Sequence, residues 1–388
     1  MTYLPFTESQ QHWRDTARDV ATREVGPRAA ATDSERAFPR QSLAALRDAG
    51  LWKLRVGAAD GGVGADLLTT CLVVEEIAKK CPSTGMCYKM HVEASELIAR
   101  MPSDAQRQGV LKGIVDGKVF CTVAGGETSG KGDDWVPGMQ LSAVEKTPAG
   151  YRLDGIRKSY VTSAGEATHY FMLCRVGADT KPNQLTALLV EADRIDWQTL
   201  EPWHGLGMRG NNSMPMRFSG LVPEANRLGD EHAGLKYLGA VMMPVVALTY
   251  GAAYLGVAAG AYEIACVEAA KRHPSGARRL DNAINQRRMA ELSARIEAAR
   301  ALLHVAAAAG DAGQVQAPLP YLQAKVTCSE AAVFVTQELM TMFGGTAFAA
   351  RLPFERYFRD ARAGMIMGLA NDDAYQTIFG MLFPEPKK

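Results

Sequence analysis

The chain has 388 residues, 47% of them hydrophobic and 22% charged, a balance that excludes intrinsic disorder and allows two or three domains with sizeable cores. With 43 Lys and Arg against 42 Asp and Glu, the net charge is +1, so the basic excess of a general nucleic-acid binder is missing. Seven cysteines, with no CxxC pair and no Cys/His cluster at zinc-ligand spacing, read as free thiols of a reducing compartment.

The first residues carry neither the basic stretch nor the apolar core of a secretory signal, and the expectation is a cytoplasmic protein. Residues 8–23, 41–51 and 67–80 are rich in Ala, Arg, Glu and Leu at helical spacing; Gly26-Pro27, Gly50, a glycine-rich stretch over 57–64 and Pro82 separate them. An N-terminal all-helical domain is therefore predicted over 1–117. The texture then changes to short β-branched and aromatic runs, with candidate strands at 119–124, 141–144, 151–156, 170–176 and 185–190. Thr147-Pro148-Ala149-Gly150 reads as a hairpin turn between two of them. A middle β domain is predicted over 118–229.

Helical periodicity returns over 230–388. Met289, Leu292, Ile296 and Leu303 form one apolar stripe and Leu322, Val326, Val333 and Met340 another, as in packed antiparallel helices, with 310–320 as the loop between them. Residues 237–262 hold no charge and are long enough to cross a bilayer. Pro244 and four glycines (Gly239, Gly251, Gly256, Gly260) favour a buried bundle helix over a membrane span.

Helices, then strands, then helices define only an α+β class; four motifs narrow it. They are Leu206-Gly207-Met208-Arg209-Gly210, the run from Val222 to Asp230, Phe343-Gly344-Gly345, and the run from Glu355 to Ala361 that contains Arg359-Asp360. Each is weak alone. Together, in order and spaced across nearly the whole chain, they resemble the acyl-CoA dehydrogenase flavoprotein superfamily.

That resemblance implies an N-terminal helical domain, a middle β-barrel or sandwich domain and a C-terminal four-helix bundle that builds a homodimer or homotetramer. It implies FAD between the β domain and the bundle, an acyl thioester of CoA or of a carrier protein as substrate, and an electron-transfer partner or oxygen as acceptor. For the cofactor it points to Val123, Gly125, Gly126, Gly132 and Asp133, and to Tyr160, Thr162 and Ser163 beside the flavin ring. Toward the pyrophosphate and adenine it points to Arg272, Thr341, Gly344, Gly345, Ala370 and Asp372. Several positions depart from the family pattern: Ser275 stands for an aromatic residue, Ala283 and Thr341 for glutamines, and Ala370 for a threonine.

The reaction itself needs a base for the α-proton and donors for the thioester carbonyl. Most members of the family supply the base as a glutamate nine residues after the arginine of the Arg-Asp-Ala motif, which here is Gly368. Others carry it on the first long bundle helix, near Val246, and 237–262 contains no carboxylate. What remains is the Gly368 N–H as a polarising donor, with Lys89 and His91 on the segment that lines the family's acyl pocket. A cation and a titrating group there suit a short, anionic or polar acyl group. The bland readings are a snorkelling Lys89 and a satisfied core histidine. Three functions follow: a dehydrogenase-like oxidoreductase with a non-standard base; a flavoenzyme of different chemistry (monooxygenase, nitroalkane-oxidase-like or desulfinase-like); or a non-catalytic homologue.

Overall fold

Thr7 opens the first helix with a capping box: its hydroxyl accepts from the Gln10 N–H and the Gln10 side chain accepts from the Thr7 N–H. The computed structural model describes residues 5–101, 103–127, 142–181, 183–315 and 318–384. Four main helices precede the strands: α1 (Glu8–Val20), α2 (Arg40–Asp48), α3 (Leu67–Lys80) and α4 (Pro82–Arg100). The last two are buried along almost their whole length.

Eight strands follow: β1 (Cys121–Ala124), β2 (Ala143–Thr147), β3 (Gly150–Val161), β4 (His169–Val176), β5 (Leu185–Glu191), β6 (Asp196–Thr199), β7 (Met214–Pro223) and β8 (Arg227–Leu228). They run in the order β6-β7-β3-β2-β4-β5-β8, with β1 parallel to β4. The expected hairpin turn is present, with Thr147 opposite Gly150. Beyond expectation, β3 runs on to Val161, and β6 to β8 are added. Strand β3 pairs with β7 through two register shifts, the second between Lys158 and Val161. Such a bulge re-aims a side chain, and the residue it re-aims is Tyr160, at φ +53° and 63% exposed.

The last layer is α5 (Met243–Ala270), α6 (Ala283–Asp311), α7 (Leu319–Phe343), α8 (Phe354–Arg362) and α9 (Asn371–Leu382). Helices α5 to α8 pack on one another as a bundle, and α5 also lies along α3. The close approach of α5 and α3 needs glycine. A Cβ on Gly256 would stand 2.7 Å from the Glu75 carbonyl oxygen, and one on Gly260 would stand 2.2 Å from that of Lys79. The stretch Gly234–Ala270 is apolar enough to cross a membrane, yet 78% of its most hydrophobic window is buried inside the protein, as a core helix requires.

The Arg-Asp pair of the fourth motif clips these layers together. Arg359 holds Asp33 with two charge-assisted hydrogen bonds of 2.9 and 2.6 Å, and Asp360 accepts from the Met208 N–H at 2.6 Å. Gly207 lies so close to Arg359 that a Cβ would come within 2.4 Å of its carbonyl oxygen. Two motifs noted in the sequence thus meet as a structural joint.

Candidate active site

On the strand side, the chain leaves β1 through Gly125 and Gly126. The Gly126 carbonyl accepts from the Ser159 N–H at 2.8 Å, and a Cβ on Gly126 would crowd the Ser159 carbonyl oxygen at 3.1 Å. Glu127 and Lys158 form a buried ion pair under this turn, where Lys158 also donates to the Leu173 carbonyl and Glu127 accepts from the Ser142 N–H. Thr162 is locked by the Thr122 hydroxyl on its carbonyl at 2.7 Å and by the Ser213 hydroxyl at 2.9 Å. Ser163 takes φ +62°, and its buried hydroxyl has only the Cys87 thiol beside it. Asn211 Nδ2 is buried with no partner among the described residues.

A bare glycine turn, an aromatic ring left standing in solvent and polar atoms without full partners suit a flat ring with a polar edge. Val123, Gly125, Gly126, Tyr160, Thr162 and Ser163 are all in this region; Gly132 and Asp133 lie outside the described residues.

Helix α4 separates the two functional residues read on it. Positions two apart on a helix point about 200° apart, so Lys89 and His91 cannot share a pocket wall. His91 faces β1: its Nδ1 accepts from the Cys121 N–H and its Nε2 pairs with the Trp52 carbonyl, each at 3.0 Å. That pattern fixes the proton on Nε2, and the ring stacks on Phe120. Burial depresses its pKa to about 4. His91 is therefore a neutral structural group, which corrects the expectation of a titrating residue in the acyl pocket.

Lys89 faces α5. It is fully buried and pairs with Glu93 one turn on; the Thr249 hydroxyl closes the group by donating to Glu93 at 2.7 Å. Burial lowers the Lys89 pKa to about 8 against the pull of Glu93. The side chain does not snorkel. Its ammonium lies 3.2 Å from the centre of the Tyr250 ring.

Gly368 sits in the turn before α9, at φ +76°. A Cβ here would meet the Tyr250 ring at 2.8 Å, so an aromatic ring occupies the space a side chain at this position would need. The turn is tied down by Lys325, buried on α7, which donates to the carbonyls of Gly364 (3.1 Å) and Leu369 (2.6 Å) and to Asn371 Oδ1 (2.7 Å). Neither Tyr250 nor Lys325 was singled out in the sequence. A lysine inside the apolar stripe of Leu322 and Val326 was the available signal for the second. Asp372 is exposed in the first turn of α9, and Ala370 is its N-cap.

At the other end of the bundle, Arg272 is exposed and donates to the Gly276 carbonyl of its own loop at 2.8 Å. Thr341 is exposed and bonds to its own helix. Gly344 and Gly345 border a cavity of about 500 Å³ together with Arg279, Phe343 and Arg351. Arg279 and Arg351, not Arg272, are the cations at that wall, and Arg279 is held by the Met342 carbonyl at 3.2 Å.

Comparison with known proteins agrees with this architecture. Residues 7–118 match the N-terminal domain of acyl-CoA dehydrogenase, 124–221 its middle domain and 233–371 its C-terminal domain. The 3-sulfinopropanoyl-CoA desulfinase of Paraburkholderia xenovorans is 29% identical over 93% of this chain and 92% of that protein. A probable acyl-CoA dehydrogenase, fadE25, of Mycobacterium leprae is 26% identical over 92% and 91%. The structure of butyryl-CoA dehydrogenase from Megasphaera elsdenii superposes with a TM-score of 0.90 at 24% identity, over 98% of this chain and all of that one. A prolyl acyl carrier protein oxidase, AnaB, superposes with a TM-score of 0.85 at 22% identity, over 98% and 100%. At those identities the two structures speak for the fold alone.

Proposed function

This chain belongs to the acyl-CoA dehydrogenase family, and from that premise we propose that it is an FAD-dependent oxidoreductase acting on a short acyl thioester, of CoA or of a carrier protein, without a carboxylate base. The observation that carries the reading is the pairing of Gly368 with Tyr250. The position of the family's usual glutamate has no side chain, residues 237–262 on the neighbouring helix hold no carboxylate, and an aromatic ring fills the space.

FAD, when bound, supplies the hydride acceptor. The protein's part is done by its own groups. Gly126, Thr162 and Ser163 offer backbone and hydroxyl partners to the ring's polar edge, with Tyr160 as a flanking aromatic. The Gly368 N–H has no partner among the described residues and is available to a thioester carbonyl. Beneath Tyr250 the seam between α4 and α5 is closed by the Lys89–Glu93 pair, and a long acyl chain would have to break a buried ion pair to pass. Gly344 and Gly345, and the exposed Phe348, Phe379 and Phe383, support a working homodimer or homotetramer in which a second chain completes the adenosine end. An electron-transfer partner or oxygen would then reoxidise the flavin.

A second reading is favoured by one observation. The absence of a carboxylate at Gly368 and along 237–262 suits a reaction that removes a substituent without abstracting an α-proton, as the name of the desulfinase relative describes. Anaerobic titration of the yellow protein separates the two. Bleaching by butanoyl-CoA or a dicarboxylic acyl-CoA supports the oxidoreductase; sulfite released from 3-sulfinopropanoyl-CoA without lasting bleaching supports the alternative. A flavin that is bound and yields neither result rejects both.

A further inference from the structure

We propose that the Tyr250 hydroxyl is a hydrogen-bond donor to the acyl group, acting beside the Gly368 N–H. The proposal rests on the acyl-thioester reading above and assigns to that site a residue on α5 that none of the family motifs marks.

Three features of the ring support it. First, its position: Cζ, the carbon that bears the hydroxyl, lies 3.3 Å from where a Gly368 Cβ would be, so the hydroxyl borders the turn whose N–H is also unpartnered. Second, its freedom: Tyr250 is half-buried while the five residues before it on α5 are buried, and its hydroxyl makes no hydrogen bond among the described residues. The next tyrosine on the same face, Tyr254, stacks on it at 6.4 Å but spends its own hydroxyl on the Met367 sulfur at 3.5 Å. Third, its support: the Lys89 ammonium lies under the ring face, and Glu93 holds Lys89 in place.

A cation under an aromatic face draws on the ring's electrons, which makes the O–H the stronger donor. Burial and the nearby Glu93 carboxylate hold the phenol well above its ordinary pKa, so it stays protonated and donates. Lys89 itself is sealed from the substrate and acts through the ring, as a positioning residue. The space alongside, bounded by Val246, Leu322, Lys325 and Leu369, is a cavity of about 10 Å³, room for about one water molecule, so the acyl group does not extend on that side of the ring.

The test compares two probes on the FAD-loaded protein by calorimetry: butanoyl-CoA under anaerobic conditions, and S-butyl-CoA, a thioether that keeps the chain and the nucleotide but lacks the carbonyl oxygen. Tyr250→Phe preserves the ring. It is expected to retain FAD, to bind the thioether as the unaltered protein does, and to bind the thioester roughly three- to tenfold more weakly, the range of one lost hydrogen bond. Tyr254→Phe, whose hydroxyl is already partnered, is expected to leave the thioester-to-thioether ratio unchanged. An unchanged ratio in Tyr250→Phe overturns the donor role while leaving the acyl-thioester reading intact. Failure of the unaltered, FAD-loaded protein to bind either probe overturns that reading first and the donor with it.

Discussion

The two sides of the proposed site were built differently. The strand side is made of backbone: a glycine turn at Gly126, a bulge that presents Tyr160, and Thr162 fixed through its own carbonyl. The helix side is made of charge and aromatic surface: Lys89, Glu93, Thr249 and Tyr250, packed where the family has small or apolar side chains and a carboxylate nearby. A backbone cradle tolerates many sequences, and it survives here with its neighbours altered. A substrate pocket depends on particular side chains, and that is where this chain has diverged.

The largest effect that would sharpen this contrast comes from breaking the buried pair. Lys89→Met leaves Glu93 charged and buried and is expected to cost about 3–5 kcal/mol in denaturant unfolding, whereas Lys89→Met with Glu93→Leu should recover most of it. A single variant that loses less than about 1 kcal/mol would mean that water reaches the pair.

The second effect is a pH dependence on the opposite face of the same helix. His91 is neutral in the fold with a pKa near 4 against an ordinary 6.5, so the unfolded chain takes up a proton first as the medium becomes acidic. Its contribution is complete above pH 6.5 and is lost as the pH falls toward 4, by ~3 kcal/mol at 1.36 kcal/mol per unit. Melting curves of His91→Phe should start lower near neutrality and fall less over that range. Parallel curves for the two proteins would contradict the neutral assignment.

The third effect lies on the strand side. Gly126→Ala must push against the Ser159 carbonyl and should weaken FAD binding by ~1 kcal/mol, about fivefold in a fluorescence titration, with folding little changed. The smallest is Asp372→Asn. That exposed carboxylate should alter stability by less than about 0.5 kcal/mol and leave turnover with butanoyl-CoA unchanged; a large loss of turnover would make Asp372 a candidate base.

Much of this could be read before any coordinates. The motif order carried the fold, and the absence of a carboxylate at Gly368 and along 237–262 was plain in the sequence. Lys89 was noticed, but not its surroundings, because helical spacing relates Lys89 to Glu93 and says nothing of which face meets α5. His91 was misread for the same reason: the Cys121 N–H and the Trp52 carbonyl that claim its two nitrogens come from distant parts of the chain. Tyr250 was hidden in an uncharged run where every residue looked like core, and only the path of the chain back to Gly368 gives it a neighbour. Strands β6 to β8 were missed because they are short or mixed with polar residues, and β6 is exposed throughout.

The central claim is a site that holds a thioester carbonyl with a phenol and a glycine N–H and has no carboxylate at either of the family's usual base positions. The most direct measurement is a crystal structure of the FAD-loaded protein with acetyl-CoA, which has no β-carbon to oxidise. The account predicts Tyr250 Oη and the Gly368 N–H both on the thioester oxygen, with no Asp or Glu oxygen within hydrogen-bonding reach (~3.2 Å) of the α-carbon. A carboxylate swung over that carbon, from Glu93 or Asp372, with Tyr250 turned away, would contradict it.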